Sequence, residues 1–348
     1  MPTEQKSIKK TYLTIDDIAA TAGVSKSTVS RVLNNSGFVS EKTRTKVMDI
    51  VEANHYIPNS MARELGRTST QSIGIFIGNI SNSYYSEILS GAEAAINRSA
   101  FFPFICVVSN ERREEFYVQE MLKRRTSGIL FASTTIYNLD AIAQLLRSTH
   151  AVSIQTDIPH VPRIDCENRL GTQRIVEHLI ALGHQKIAFL TFQNPTMVLS
   201  QRFEGYCRAL EEHDLPVDPR YVKRLDRVSS GYQAVLELLS QENPPTAIHC
   251  CNDYIAESAY QALRNHGVSI PGDISLTGFD AVPNTLLMEP QLTTVSQPLQ
   301  KMGEKAVEML LLQLSSPARV PESYRFPTEI LLRGSTAPPP AHPRIFSL

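Results

Sequence analysis

From residue 72 onward, short apolar runs alternate with longer amphipathic ones, and this alternation constrains the fold more tightly than any other feature of the chain. A strand covered on both faces reads as a nearly unbroken apolar run, and a parallel neighbour can be reached only through a crossover, usually a helix. Candidate strands at 72–78, 103–108, 128–132 and 151–155 are separated by expected helices at 84–98, 112–123 and 139–147. A second set follows, with strands at 186–191, 222–225, 246–250 and 274–277 and helices at 171–182, 200–213, 231–239 and 253–266. The expected core is therefore α/β, two-lobed and doubly wound around parallel sheets. Ligands of such folds sit beyond the carboxyl ends of the strands, which between two lobes means a cleft.

The first 57 residues read differently, as helix after helix. Thr14 and Asp17 have capping-box spacing, Ile15, Ile18 and Ala19 share one face, and Gly23 suits a tight interhelical turn. A second helix opens at Ser25 with Val29, Val32 and Leu33 as its buried stripe, turning Lys26, Ser27 and Arg31 outward, with Thr28 beside them. Small polar and basic side chains at such a helix start can reach base edges or phosphates, the mark of a helix-turn-helix DNA reader. A third helix, capped by Ser40 and carrying Val47, Ile50 and Val51, closes a small all-α domain. Pro58 to Gly66 then spells a two-turn helix with a Pro start and a Gly stop. Alone it is too short to be stable, and its Leu65 would be accounted for as a wedge between base steps in a minor groove.

These motifs make the chain similar to the LacI/GalR family of bacterial transcriptional repressors. The similarity rests on residues 14–35, on Tyr56 to Asn59 with Ala62, Arg63 and Leu65, and on Asn252, Asp253, Gly278, Phe279, Asp280 and residues 292–297. The resemblance implies a homodimer on a pseudopalindromic double-stranded operator, with Lys26, Ser27, Thr28 and Arg31 in the major groove and Asn59 and Leu65 in the hinge. It also implies a small-molecule effector, a sugar, sugar acid or sugar phosphate, bound between the lobes. The expected organisation is a disordered leader at 1–10, a helix-turn-helix domain at 11–57, a hinge helix and linker at 58–71, an effector-binding and dimerisation core at 72–335 and a disordered tail at 336–348.

Residues just after predicted strands could line the cleft: Tyr84, Tyr85, Ser133, Thr134, Asn252, Asp253 and Asp280, with Arg202 near the start of a helix. Carboxylates and amides pair with vicinal hydroxyls, a guanidinium forks across two oxygens, and rings cover apolar sugar faces. The resemblance singles out Arg202, Asn252 and Asp280, followed by Tyr85, Ser133 and Gln297. One departure stands out. Where members of the family often place an aromatic ring before a Ser-Gly helix start, this chain has Arg227 and Val228, and Arg227 could either favour an acidic sugar or be an ordinary surface arginine.

Charge is polarised. Residues 1–70 hold ten Lys/Arg against seven Asp/Glu, and the remainder 24 against 28, so the amino end suits an anionic partner. Five cysteines without a CxxC pair suggest neither a zinc site nor a disulfide framework. No GxSxG, Walker loop, HExxH or post-strand GxGxxG occurs. The expectation is a non-enzymatic, cytoplasmic protein without cofactor, metal or membrane contact, with His184 structural and the final long helix packed within a lobe. A periplasmic-type sugar-binding protein shares the two-lobed cleft but leaves the amino-terminal seventy residues without a use.

Overall fold

The computed structural model describes residues 13–56, 70–108, 113–132, 138–194, 196–316 and 321–341. The chain divides into two compact units, Met1–Ser69 and Thr70–Leu348. The expected leader at 1–10 and hinge helix at 58–66, with Asn59 and Leu65, lie outside the described residues.

In the first unit, α1 (Ile15–Ala22), α2 (Lys26–Leu33) and α3 (Glu41–Ala53) each begin at a hydroxyl cap. Thr14 and Asp17 form the reciprocal capping box, with the Thr14 amide donating to Asp17 Oδ2 at 2.7 Å and the Asp17 amide to Thr14 Oγ1 at 3.3 Å. Ser25 and Ser40 accept from the amides of Thr28 and Thr43. Gly23, at φ +67°, takes the left-handed conformation that ends α1. Ile18, Ala19, Ala22, Val29, Val32, Val47 and Val51 make the core. Each helix contributes a single apolar stripe, so Lys26, Ser27 and Arg31 stay exposed.

The second unit is two six-stranded sheets covered by helices. One sheet has the order β11-β5-β4-β3-β1-β2 and is parallel throughout. It comprises β1 (Ser72–Ile77), β2 (Phe102–Val107), β3 (Gly128–Phe131), β4 (His150–Ile154), β5 (Arg163–Cys166) and β11 (Tyr324–Phe326). The other has the order β12-β10-β9-β8-β6-β7, and only β12 runs antiparallel to its neighbour. Its strands are β6 (Ile187–Phe192), β7 (Val222–Leu225), β8 (Ala247–Cys250), β9 (Ser275–Asp280), β10 (Thr293–Ser296) and β12 (Glu329–Leu331). The connecting helices are α4 (Ser83–Ile96), α5 (Glu114–Lys123), α6 (Leu139–Leu145), α7 (Asn168–Ala181), α8 (Met197–Glu211), α9 (Ser230–Leu239), α10 (Asp253–Asn265) and α11 (Leu299–Ser315).

The alternation anticipates eight of these strands to within a few residues but neither β5 nor β10, each only four residues long. Both matter, because the chain passes between lobes immediately after each of them and a third time between β11 and β12. α11 therefore belongs to the first lobe. Its Met302, Ala306, Met309 and Leu310 join a core with Ile73, Ile75, Ile88, Leu130 and Val152. α11 crosses α4 at backbone contact, since a Cβ on Gly303 would strike the Ile88 carbonyl and one on Gly91 the Gln300 carbonyl.

The expected disordered tail starts too early. Residues 336–341 are described, and Thr336 Oγ1 lies 3.1 Å from His178 Nε2 while the Ala337 amide donates to Ser275 Oγ at 3.1 Å. His184 anchors the same strap, its Nδ1 2.9 Å from Thr246 Oγ1 and its Nε2 2.9 Å from the Ala337 carbonyl. Proline-rich composition suggested disorder, but these bonds tie the segment to the second lobe. Residues 342–348 lie outside the described residues.

Gly303→Ala should cost about 1–3 kcal/mol by overpacking the α4–α11 crossing. Chemical denaturation reads this directly, and an unchanged midpoint would contradict a crossing at backbone contact.

Candidate functional site

The carboxyl ends of the strands in both lobes open onto a cavity of about 730 Å³. Its first-lobe wall includes Asn79, Asn82, Tyr84, Tyr85 and Gln155, and its second-lobe wall Phe192, Gln193, Asn194, Arg202, Asp226, Arg227, Asn252, Tyr254 and Asp280. Several wall residues also start helices. Asn82, Thr196 and Asn252 accept hydrogen bonds from the amides of Tyr84, Leu199 and Ile255, at 3.0, 3.3 and 2.9 Å. The Asn252 side-chain oxygen accepts that capping bond, and its amide NH2 takes no part in it.

Beneath the cavity runs a chain of buried polar groups. Tyr84 Oη donates to Gln155 Oε1 at 2.9 Å, Gln155 Nε2 to Gln297 Oε1 at 2.6 Å, and Gln297 Nε2 to Asp280 Oδ1 at 2.6 Å. Arg202 closes the series, with Nη1 3.2 Å from Asp280 Oδ1 and 2.6 Å from the Cys251 carbonyl, and Nε 3.0 Å from Asn168 Oδ1. Its guanidinium carbon also lies 3.6 Å from the centroid of the Phe279 ring, a cation over an aromatic face. Both protein bonds to Asp280 fall on Oδ1, so Oδ2 is the oxygen left for a hydroxyl in the cavity. Asp280 and Ala281 hold φ of +121° and +60°, and Gln155 of +55°. Non-glycine residues in that region are held there by their surroundings, which here are this network. At the mouth, Asn79 Nδ2 of the first lobe donates to Tyr254 Oη of the second at 3.3 Å.

In the first unit, α2 presents Lys26, Ser27 and Arg31 on one exposed face, with Thr28 partly covered. Lys26 Nζ sits 2.9 Å from Asp16 Oδ2 in an exposed pair. Pairs of that kind contribute little and exchange readily for a stronger anion.

Residues 14–59 match the family of bacterial regulatory proteins termed lacI. Residues 176–336 match a periplasmic binding protein-like domain. The HTH-type transcriptional repressor PurR of Actinobacillus pleuropneumoniae serotype 3 is 32% identical over 330 residues, covering 92% of this chain and 98% of that protein. The chain belongs to the LacI family. A lac repressor dimer solved with operator and the anti-inducer ONPF superposes with a TM-score of 0.81 at 29% identity, covering 94% of this regulator and 99% of that chain. A LacI-family regulator from Enterococcus faecium, solved with bound ribose, gives 0.70 at 28% identity, covering 77% and 99%.

In this LacI-family regulator, Tyr85, Arg202, Asn252 and Asp280 come together on the cavity. Gln297 lies behind the wall, touching Asp280 rather than lining the space, because it sits on the second crossover between lobes. Asp253, expected on the cleft, is turned into the core, with Thr294 Oγ1 donating to its Oδ1 at 2.6 Å and the Val282 amide to its Oδ2 at 3.0 Å. Ser133 and Thr134 lie outside the described residues. Sequence reasoning missed Asn79, Gln155, Gln193, Asn194 and Tyr254. Gln193 and Asn194 directly follow a strand, as Asn252 does, and the same rule applied to them would have found both. Among the described residues no helix is long and apolar enough to cross a membrane, and no cluster of His, Cys, Asp and Glu could hold a metal ion.

Burial raises Asp280 to about 6 against the opposing pull of Arg202 and the Gln297 hydrogen bond, and raises Asp253 well above the usual carboxylate range. Burial pushes His249, under the floor, down to about 3 with Arg202 adding to the effect. A carboxyl with a raised folded pKa favours folding at low pH, and that contribution is lost as pH rises through the folded value. Between about pH 4 and about pH 7, the melting temperature of Asp280→Asn should therefore climb relative to wild type. A difference that stays flat across that window would exclude a carboxyl titrating near 6.

Proposed function

We propose that this regulator is a sequence-specific repressor whose hold on operator DNA is set by a sugar or sugar derivative bound between the lobes. The observation that carries this reading is the polar network from Tyr84 and Gln155 of the first lobe, through Gln297, to Asp280 and Arg202 of the second. Its edges face the cavity from both sides. Ligand hydroxyls bonded to Asp280 Oδ2, Asn252 and the tyrosines would hold the lobes at one angle, and a ligand shifts an equilibrium by its difference in affinity for the two states. The names of the relatives support the class: one is a repressor of transcription, one was solved on its operator, one with ribose. The cleft binds and releases its ligand unchanged in this reading, and the protein acts where the DNA is, in the cytoplasm.

Lys26, Ser27, Thr28 and Arg31 would read the major groove, with Asn59 and Leu65 contacting the DNA from the hinge segment 58–66. A homodimer would place two α2 helices on the two half-sites of the operator. Support for self-association comes from β2, an edge strand exposing Phe102, Phe104, Ile105 and Val107. Long apolar edges are normally covered, and a second copy would cover this one. A periplasmic sugar carrier would have no use for a capped, basic-faced three-helix unit.

Duplexes selected from a random library by repeated binding supply the operator. Against them, Arg31→Ala should lose about 1–3 kcal/mol of specific binding with effector affinity unchanged, and Leu65→Ala should behave alike. Asp280→Ala should keep operator affinity and lose the response to effector. Linkage requires that effector and operator change each other's affinity by one common factor, so a factor of one in both titrations would refute coupling through the lobes. On sedimentation, Phe104→Glu with Ile105→Glu should convert a dimer to a monomer, and an unchanged dimer would place the interface elsewhere.

A further inference from the structure

We infer that Arg227 makes this cleft selective for an anionic sugar derivative, one carrying a carboxylate or a phosphate; this rests on the cleft being the effector site. Among the described residues four charged side chains line the cavity: Arg202, Asp226, Arg227 and Asp280. Three have partners. Arg202 and Asp280 pair with each other at 3.2 Å in the floor. Asp226 accepts a hydrogen bond from the Ser230 hydroxyl. No described residue bonds or ion-pairs with the guanidinium of Arg227, so its five N–H donors remain for a ligand, in a fork that matches two oxygens of one acidic group.

Placement strengthens the case. Arg227 lies in the turn between β7 and α9, beyond the carboxyl end of its sheet, the same end that presents Asp280. Of the two cations on the wall, Arg202 already engages Asp280, Asn168 and the Cys251 carbonyl, whereas no described residue engages the Arg227 side chain. The capping side chains Asn82, Thr196 and Asn252 already occupy opening amides of their helices, and in the turn itself the Ser230 and Gly231 amides bond the carbonyls of Arg227 and Val228. The aromatic surfaces a neutral sugar would stack on belong to Tyr84, Tyr85, Phe192 and Tyr254, none of them in this turn.

Asp226 opposes the effect. Its carboxyl is held below the ordinary range by the Ser230 hydrogen bond and, secondarily, by Arg227, so it stays ionised and offsets the diffuse field of its neighbour. Selectivity must therefore come from direct, forked contact with Arg227 and not from long-range attraction. A ligand seated with hydroxyls on Asp280 and Asn252 and its acidic group on Arg227 would satisfy floor and wall together.

Isothermal titration of the full chain with glucose and galactose, their uronates and their 6-phosphates tests this. At least one anion should bind about tenfold or more tighter than its neutral parent, as one charge-assisted pair provides. Arg227→Gln should bring that ratio to about one while leaving the neutral parent unaffected, and Arg227→Lys should recover part of it. The uronate and phosphate arms show which acid is preferred. Neutral parents binding as tightly as the anions, an advantage that survives Arg227→Gln, or no binding by any anion overturns the inference. Anion binding abolished by Asp280→Asn but indifferent to Arg227→Gln would leave the cleft as effector site and remove only Arg227. A ligand indifferent to both substitutions would remove the cleft itself.

Discussion

Arg202 and Asp280 face each other at 3.2 Å with both side chains almost wholly withdrawn from solvent, and the rest of the effector core is organised around keeping that pair satisfied. Removing two charges from water costs several kcal/mol per ion, which mutual attraction offsets only when the remaining donors and acceptors are also met. Here they are met by groups from many parts of the chain: the Cys251 carbonyl at the end of β8, Asn168 at the start of α7, Gln297 on the second crossover and the Phe279 ring beneath the guanidinium. Each of those groups is where it is because a strand or helix ends there. The pair is thus a register mark for the second lobe, and through Gln297 and Gln155 it reaches the first.

That reach has a mechanical meaning. The chain passes between lobes three times, near residues 167, 297 and 327, and Cys166 and Gln297 at two of these passages lie in contact, Sγ to Oε1 at 3.1 Å. A change of angle between lobes must act on the same few residues that hold Asp280. Groups that would sense a ligand and groups that would bend are neighbours in one hydrogen-bonded series, so little energy need be lost between them. Buried polar chains of this kind are costly when partly satisfied, and an occupant completing the bonds at Asp280 Oδ2 would tip the balance between arrangements.

Local chemistry was readable without any tertiary information. The Thr14–Asp17 box, the caps at Ser25 and Ser40 and the turn at Gly23 depend on atoms within four residues of one another, and periodicity alone told Val29 and Val32 from Lys26 and Arg31. Most strands, the four-residue β3 among them, were readable for the same reason, since burial on both faces leaves an unbroken apolar run. β5 and β10 were not. Polar members such as Arg163, Asp165, Thr293 and Thr294 break the apolar run that made the equally short β3 legible. Disorder was over-assigned at residues 336–341, because proline content is a local property while the bonds from His178 and Ser275 that hold the strap are not.

By itself, then, the sequence determined the class of the protein: a three-helix DNA-binding unit, an α/β core of two lobes, and a short set of polar side chains at strand ends. Those properties follow from spacing along the chain, and spacing is what a sequence records. Only the tertiary structure decided that α11 belongs to the first lobe, that Gln297 stands behind the cleft and Asp253 in the core, and that Arg202 pairs with Asp280 while no described residue pairs with Arg227. Which charges neutralise each other depends on distances between residues 78 apart in sequence. No periodicity encodes such a distance; the order of the strands sets it.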